Sequence, residues 1–169
     1  METTFSCVDP INVDSLWIIG PRAKGGKRDN AYHGNFAPQI PNDLIRRFTE
    51  EGDIVLDMFM GSGTTLFECE TLHRRFIGFD INKPLVESVW SQMESATQND
   101  FCVHICDICD GANVNALIKN DLFLLQRDSI DIVFSHPPYV DIIRFTEEES
   151  DLSHISDISL FKFRMCSTS

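Results

Sequence analysis

The stretch Asp53-Ile-Val-Leu-Asp57-Met-Phe-Met-Gly61-Ser-Gly63-Thr64-Thr65-Leu66-Phe67-Glu68 limits what this chain can fold into more than any other. It opens on a short apolar run, Ile54, Val55 and Leu56, bounded by Gly52 and Asp53, which reads as a buried parallel strand. A Gly-Ser-Gly-Thr-Thr turn follows, and then Leu66, Cys69 and Leu72 at helical spacing. Strand, glycine turn and helix form the first half of a nucleotide-binding crossover unit. Glycine permits backbone angles and close approaches that a Cβ blocks, and a helix start offers free N–H groups.

The same residues argue against a phosphate ligand. No Gly-Lys-Ser/Thr ending is present, so the turn is not a P-loop, and two glycines at this spacing are not a full dinucleotide fingerprint. Asp57 stands at the strand end, where a carboxylate repels a pyrophosphate and welcomes a cationic or amino group. Arg75-Phe-Ile-Gly-Phe79-Asp80 reads as a second strand ending in an acid, at the offset that suits a ribose diol. Adenosine with an amino-acid tail and no phosphates describes S-adenosylmethionine. The plainer alternative is a structural glycine turn with a capping Asp.

The chain of 169 residues is long enough for one domain with its own core. No stretch approaches the roughly twenty apolar residues that span a bilayer, so no membrane partner is expected. The first residues, Met-Glu-Thr-Thr-Phe-Ser, lack the basic and apolar regions of a signal peptide. With six Cys and no secretory signal, reduced thiols and a cytoplasmic setting are expected. The net charge of −12 is awkward for a nucleic-acid partner, whose phosphates call for Lys and Arg. The densest basic cluster, Pro21-Arg-Ala-Lys-Gly-Gly-Lys-Arg28, reads equally as a phosphate-contacting loop or a solvated one.

Val13 to Ile19 allows a short strand. Pro38 and Pro41 argue against a helix before about Asn42, which is a plausible N-cap for a short helix carrying Leu44, Ile45 and Phe48. His33 and Asn35 precede it as ligand contacts or as loop residues that satisfy the backbone. After the second strand, Asn82-Lys-Pro84 starts a helix through Met93, and Phe101 to Cys106 makes a third strand. Asp107 then stands at its carboxyl end, placed to accept from an adenine amino group. Leu117 to Leu125 reads as a helix, and Asp128 to Phe134 as a fourth strand. Cys102, Cys106, Cys109 and His104 do not make a convincing zinc set: two lie on a strand, and there is no second Cys pair. No metal is expected.

Ser135-His136-Pro137-Pro138-Tyr139 follows the fourth strand directly. Prolines donate no hydrogen bond and stiffen the chain, leaving carbonyls free at the sheet's carboxyl end. Tyr139 offers a face on which a base can stack. Carbonyl acceptors beside an aromatic platform suit the exocyclic amino group of a flipped-out base; a rigid strand-to-loop turn is the alternative.

Asp57-Met-Phe-Met-Gly-Ser-Gly-Thr-Thr65 together with Ser135-His-Pro-Pro-Tyr139 resembles the amino-methylating DNA methyltransferases, which modify adenine N6 or cytosine N4. The first stretch matches their cofactor motif Asp-x-Phe-x-Gly-Ser-Gly-Thr-Thr, and the second their Asp/Asn/Ser-Pro-Pro-Tyr. His33 to Phe48 resembles the leading motif that packs over the methionine end of the cofactor. The resemblance covers roughly residues 15 to 155. It implies an α/β, Rossmann-like methyltransferase sheet, incomplete here with four of the usual seven strands. It divides the chain into an N-terminal segment and basic loop (1–32), a partial methyltransferase domain (33–156) and a tail (157–169).

The resemblance implies S-adenosylmethionine as cofactor, with Asp57, Phe59, Gly61, Gly63 and Thr64 around its methionine portion and Phe36 packed over it. Asp80 would hold the ribose and Asp107 the adenine amine. Pro137's carbonyl would accept from the target amine, with Ser135, His136, Pro138 and Tyr139 completing the catalytic motif. The family has Asp, Asn or Ser where this chain has His136, so either a neutral His136 or Ser135 supplies the side-chain acceptor. DNA is the implied partner, with a second chain supplying the missing strands and target recognition if the enzyme is split. An RNA or protein methyltransferase, or a non-catalytic remnant, are the rival expectations.

Overall fold

The computed structural model describes residues 16–24, 27, 35, 37–93, 100–138, 146, 151–155 and 157. In chain order the elements are α1 (Gln39–Phe48), β1 (Ile54–Asp57), α2 (Thr64–Thr71), β2 (Arg75–Asp80), α3 (Lys83–Met93), β3 (Phe101–Ile105), α4 (Gly111–Leu124) and β4 (Ile132–Phe134). A short 3-10 turn follows at Leu152–His154. The four strands make one parallel sheet in the order β3-β2-β1-β4. This is the Rossmann-like arrangement expected of alternating strands and helices.

Strand residues alternate between two buried faces, which explains the nearly unbroken apolar runs. Val55, Phe76 and Val103 face α1, α2 and α3 through Ile45, Leu66 and Val89. Ile54, Leu56, Ile77 and Phe79 face the other way, toward α4 and its Val114. Cys106 is buried in this second core with Cys102 packed against it, so these cysteines act as small hydrophobes. At the amino ends of the strands, Arg127 donates to the Gly52 carbonyl and to the carboxylates of Asp53 and Asp131. Asp131 in turn accepts from Ile54 N at 2.8 Å, which locks β4's entry beside β1.

Several boundaries differ from the sequence expectations, each for a physical reason. The first helix begins at Gln39, not Asn42, with Pro38 as N-cap. Pro41 is tolerated because first-turn N–H groups have no partner inside the helix; the Asn42 amide makes the first such bond, to the Pro38 carbonyl at 3.1 Å. The Asn42 side chain, released from capping, donates to Glu68 of α2 at 2.7 Å. The helix α4 starts six residues before the expected Leu117, capped by Asp110, whose carboxylate accepts from Asn113 N. Its first turns carry Ala112, Asn113 and Asn115 on exposed positions, so apolar periodicity alone hides them. The described part of the candidate strand at 13–19 is irregular. The fourth strand is only Ile132–Phe134.

Among the described residues β4 pairs with β1 alone and stands at one end of the sheet order. Ile132 and Phe134 pack on the α1–α3 face, whereas Val133 on the other face is 56% exposed.

Candidate active site

The carboxyl ends of the strands gather the residues that the sequence singles out, in the crevice where open α/β sheets bind ligands. Asp57 closes β1 and is buried, with Oδ2 accepting from Thr65 Oγ1 (2.6 Å) and Oδ1 from Phe59 N (3.0 Å). Asp80 closes β2; its Oδ2 accepts from Gly61 N (2.7 Å) and its Oδ1 from Asn82 N (2.8 Å). Asp107 follows β3, and its Oδ1 accepts from Cys109 N (2.9 Å). Two of these acids, Asp57 and Asp80, therefore brace one glycine turn through Phe59 N and Gly61 N.

The turn needs its glycines. Gly61 and Gly63 have φ of 55° and 87°, the left-handed region that side chains resist. A Cβ on Gly63 would also press against Val89 (3.1 Å) and Phe67 (3.2 Å). Phe59 lies half-buried within the turn, and the Met60 amide donates to the Phe79 carbonyl of the next strand.

The second motif meets the first directly. Met58 N, just past β1, donates to the Phe134 carbonyl at 3.0 Å, and Ser135-His136-Pro137-Pro138 continue from there. Ser135 is exposed; His136, Pro137 and Pro138 are half-buried. Phe36 and Tyr139 lie outside the described residues, as does His33.

Burial pushes the Asp57 carboxyl up to about 6; the bonds from Thr65 and Phe59 pull it down, and the charge of Asp80 adds to the rise. Asp80 is pushed up as well, by burial first; the charge of Asp151 works the same way, against the bonds from Asn82 and Gly61. The linkage sign for Asp57 follows. Its folded value lies above the ordinary 3.8, so the folded chain holds this proton more tightly. Its favourable contribution is complete below about pH 4 and is lost as pH rises through about 6. The change is on the order of 3 kcal/mol. Asp57→Asn should therefore gain stability relative to the native chain between pH 4.5 and 7.5, read from urea midpoints. A difference that stays constant across that range would rule the burial effect out.

The residues present fit a cofactor with a cationic amino-acid tail and a ribose. Acids replace the cations that a phosphate would need, and the glycine turn leaves the space that Cβ atoms would fill. Thr64, first residue of α2, adds a buried hydroxyl with no hydrogen-bond partner among the described residues. Such an atom is costly to leave unmade and points to a ligand partner.

Other supports were not apparent from spacing. Asn35 Oδ1 accepts from Ser62 Oγ at 2.8 Å, and its carbonyl accepts from Arg22. Gln39 of α1 grips the backbone at Pro21 and Ala23, and Lys27 pairs with Glu70 at 2.7 Å. Two cations of the basic cluster are thus engaged within the protein, and Asn35 holds the glycine turn. The acidic segment after the Pro-Pro motif contains a buried turn in which Asp151 accepts from Thr146 N, Thr146 Oγ1 and Ser153 N. The one sequence signal for it was Asp-Leu-Ser, a capping pattern too short to be distinctive.

Residues 4–91 match the N6/N4 family model, DNA methylase. The chain belongs to the N6/N4 DNA methylase family. The matched region runs through α1, β1, the glycine turn, α2 and β2 into α3. The family is S-adenosylmethionine-dependent, which accounts for acids where a phosphate site would carry cations. This methylase is 47% identical over 92 residues to the Type II methyltransferase M.MjaI of Methanocaldococcus jannaschii, a match covering 52% of this chain and 30% of that protein. It is 48% identical over 61 residues to the Type II methyltransferase M.HpaI of Haemophilus parainfluenzae, covering 34% and 19%. A longer, weaker likeness, 24% over 152 residues, links it to the tRNA (guanine(10)-N2)-dimethyltransferase of Methanothermobacter thermautotrophicus, covering 82% of this chain and 41% of that one. The chain thus spans under a third of the length of the two Type II relatives.

Proposed function

We propose that this methylase transfers a methyl group from S-adenosylmethionine to an exocyclic amino group of adenine or cytosine in DNA. The bond from Met58 N to the Phe134 carbonyl carries the reading, because it puts the Pro-Pro motif against the glycine turn. A base held at Pro137 then lies next to whatever occupies the turn. When bound, S-adenosylmethionine would supply an electrophilic sulfonium methyl for transfer to the amino nitrogen, which would lose one proton to water. Asp80 orients the ribose, and Asp107 the adenine. The carbonyl of Pro137 and the side chain of His136 or Ser135 orient the amine, and Tyr139 stacks on the base. The protein's contribution is mainly positioning.

Its expected setting is the cytoplasm; no helix of the described residues is long and apolar enough to cross a membrane. The net charge of −12 favours a cationic partner chain as the source of the grip on DNA.

The test is transfer of labelled methyl groups to duplex DNA, tRNA and protein in parallel. Label in DNA alone supports the reading. The likeness to the tRNA dimethyltransferase favours a second reading, methylation of an RNA amino group, and label in tRNA alone would establish that instead. No label on any acceptor, from a chain that binds the donor, would identify a non-catalytic remnant. If His136 is the acceptor, His136→Ala should lower the rate about 100-fold, while His136→Asn, restoring the family's residue type, should stay within about tenfold. Equal losses in both would assign the role elsewhere.

A further inference from the structure

Several other carboxylates of this fold meet basic side chains: Asp53 and Asp131 meet Arg127, Glu70 meets Lys27, and Asp121 meets the His104 ring. Asp57 and Asp80 do not. Among the described residues neither has a Lys, Arg or His in ion-pair range. Their hydrogen bonds come from uncharged donors: Thr65 and Phe59 for one, Gly61 and Asn82 for the other. The amides they hold, Phe59 N and Gly61 N, are two residues apart on one turn. Two carboxylates thus converge on the glycine turn with no basic side chain in ion-pair range among the described residues. An unpaired buried charge is costly unless something cationic arrives. The Thr64 hydroxyl, buried at the start of α2 and without a hydrogen-bond partner among the described residues, supports a ligand as the missing partner.

S-adenosylmethionine carries one more positive charge than S-adenosylhomocysteine, the product left after transfer. We infer that Asp57 and Asp80 make this site a reader of that charge, favouring the sulfonium donor over the neutral thioether; the inference rests on the donor reading of the site. Both carboxylates act through space on the sulfur. Asp57 is 1% exposed, so its part is a field rather than an open contact. In a medium of low effective dielectric, charges several ångströms apart still interact strongly enough to decide between two ligands of nearly identical shape. Turnover benefits, because the chemical step itself removes the charge by which the site holds its ligand.

The experiment is calorimetry at pH 8 with both nucleosides, on the native chain, Asp57→Asn and Asp80→Asn, with circular dichroism to confirm folding. Asparagine keeps an acceptor oxygen and removes the charge. Each variant is expected to lose donor affinity about fivefold to tenfold more than product affinity. Equal losses for the two ligands would overturn the inference while leaving the donor site intact. On the native chain, sinefungin, which carries an ammonium where the sulfonium methyl would stand, should bind more tightly than S-adenosylhomocysteine. Equal or weaker binding overturns the inference even if neither variant folds. If the folded native chain binds none of the three, the donor reading itself falls, and the inference with it.

Discussion

Asp80→Ala is expected to lower S-adenosylmethionine affinity about 100-fold or more while leaving most of the fold in place. The carboxylate has two roles at once. It orders the glycine turn through Gly61 N and the entry to α3 through Asn82 N, and in the proposed reading it would also accept from a ribose diol. Hydrogen bonds to a charged group are worth roughly 1.5–3 kcal/mol each, so losing two, with a ligand contact besides, reaches that scale. The sheet keeps its register because the β1–β2 ladder runs from Ile54↔Arg75 to Asp57↔Gly78 without help from this side chain. Calorimetry on the native and variant chains decides it, with circular dichroism as the control. An affinity within about threefold of native would show that Asp80 only caps its own turn.

Gly78→Ala is expected to be the most damaging small substitution in the sheet. The Cβ it adds would run into one ring carbon of Phe76 and lie 2.9 Å from another and 3.0 Å from Met60 Sδ. Phe76 is fully buried and Met60 nearly so, so neither moves freely. Overpacking of this kind costs on the order of 3 kcal/mol. In a chain of this size that is a fall in melting temperature of about 10 °C. The effect should reach the site, because Met60 lies inside the glycine turn and its amide holds the Phe79 carbonyl. A melting temperature within about 2 °C of native would mean that the Phe76 ring rotates aside at little cost.

These two cases show what was legible in the sequence. Strand, glycine turn, helix and second acid were readable because each rests on local chemistry: an apolar run, glycines at positive φ, a carboxylate at a strand end. The Pro-Pro motif was readable too, and its place at the end of β4 follows from the doubly wound order. Contacts between segments distant in sequence were not legible. Nothing near Asn42 announces that it reaches Glu68, and nothing near Lys27 announces Glu70, forty-three positions away. Asp57 shows the limit most clearly. Its residue type and strand-end position were evident, but its burial and its bond to Thr65 arise from packing and also make it a brace of the turn. The start of α4 was hidden for a different reason, since its exposed first turns carry no apolar stripe and Asp110 alone marks it.

The short fourth strand has a consequence for how the molecule breathes. Its ladder joins Val55↔Ile132, Leu56↔Val133 and Asp57↔Phe134, closing a loop of more than seventy residues for three pairs. The β1–β2 ladder closes a loop of about twenty residues for four pairs. Local opening starts where few buried contacts repay much chain ordering. The strand bearing the Pro-Pro motif is therefore the part of the sheet most ready to exchange its amide protons with solvent, while the turn beneath it stays protected. The fold thus combines a more firmly paired half, β1 with β2 and the glycine turn, with a looser edge at β4 beside the Pro-Pro motif.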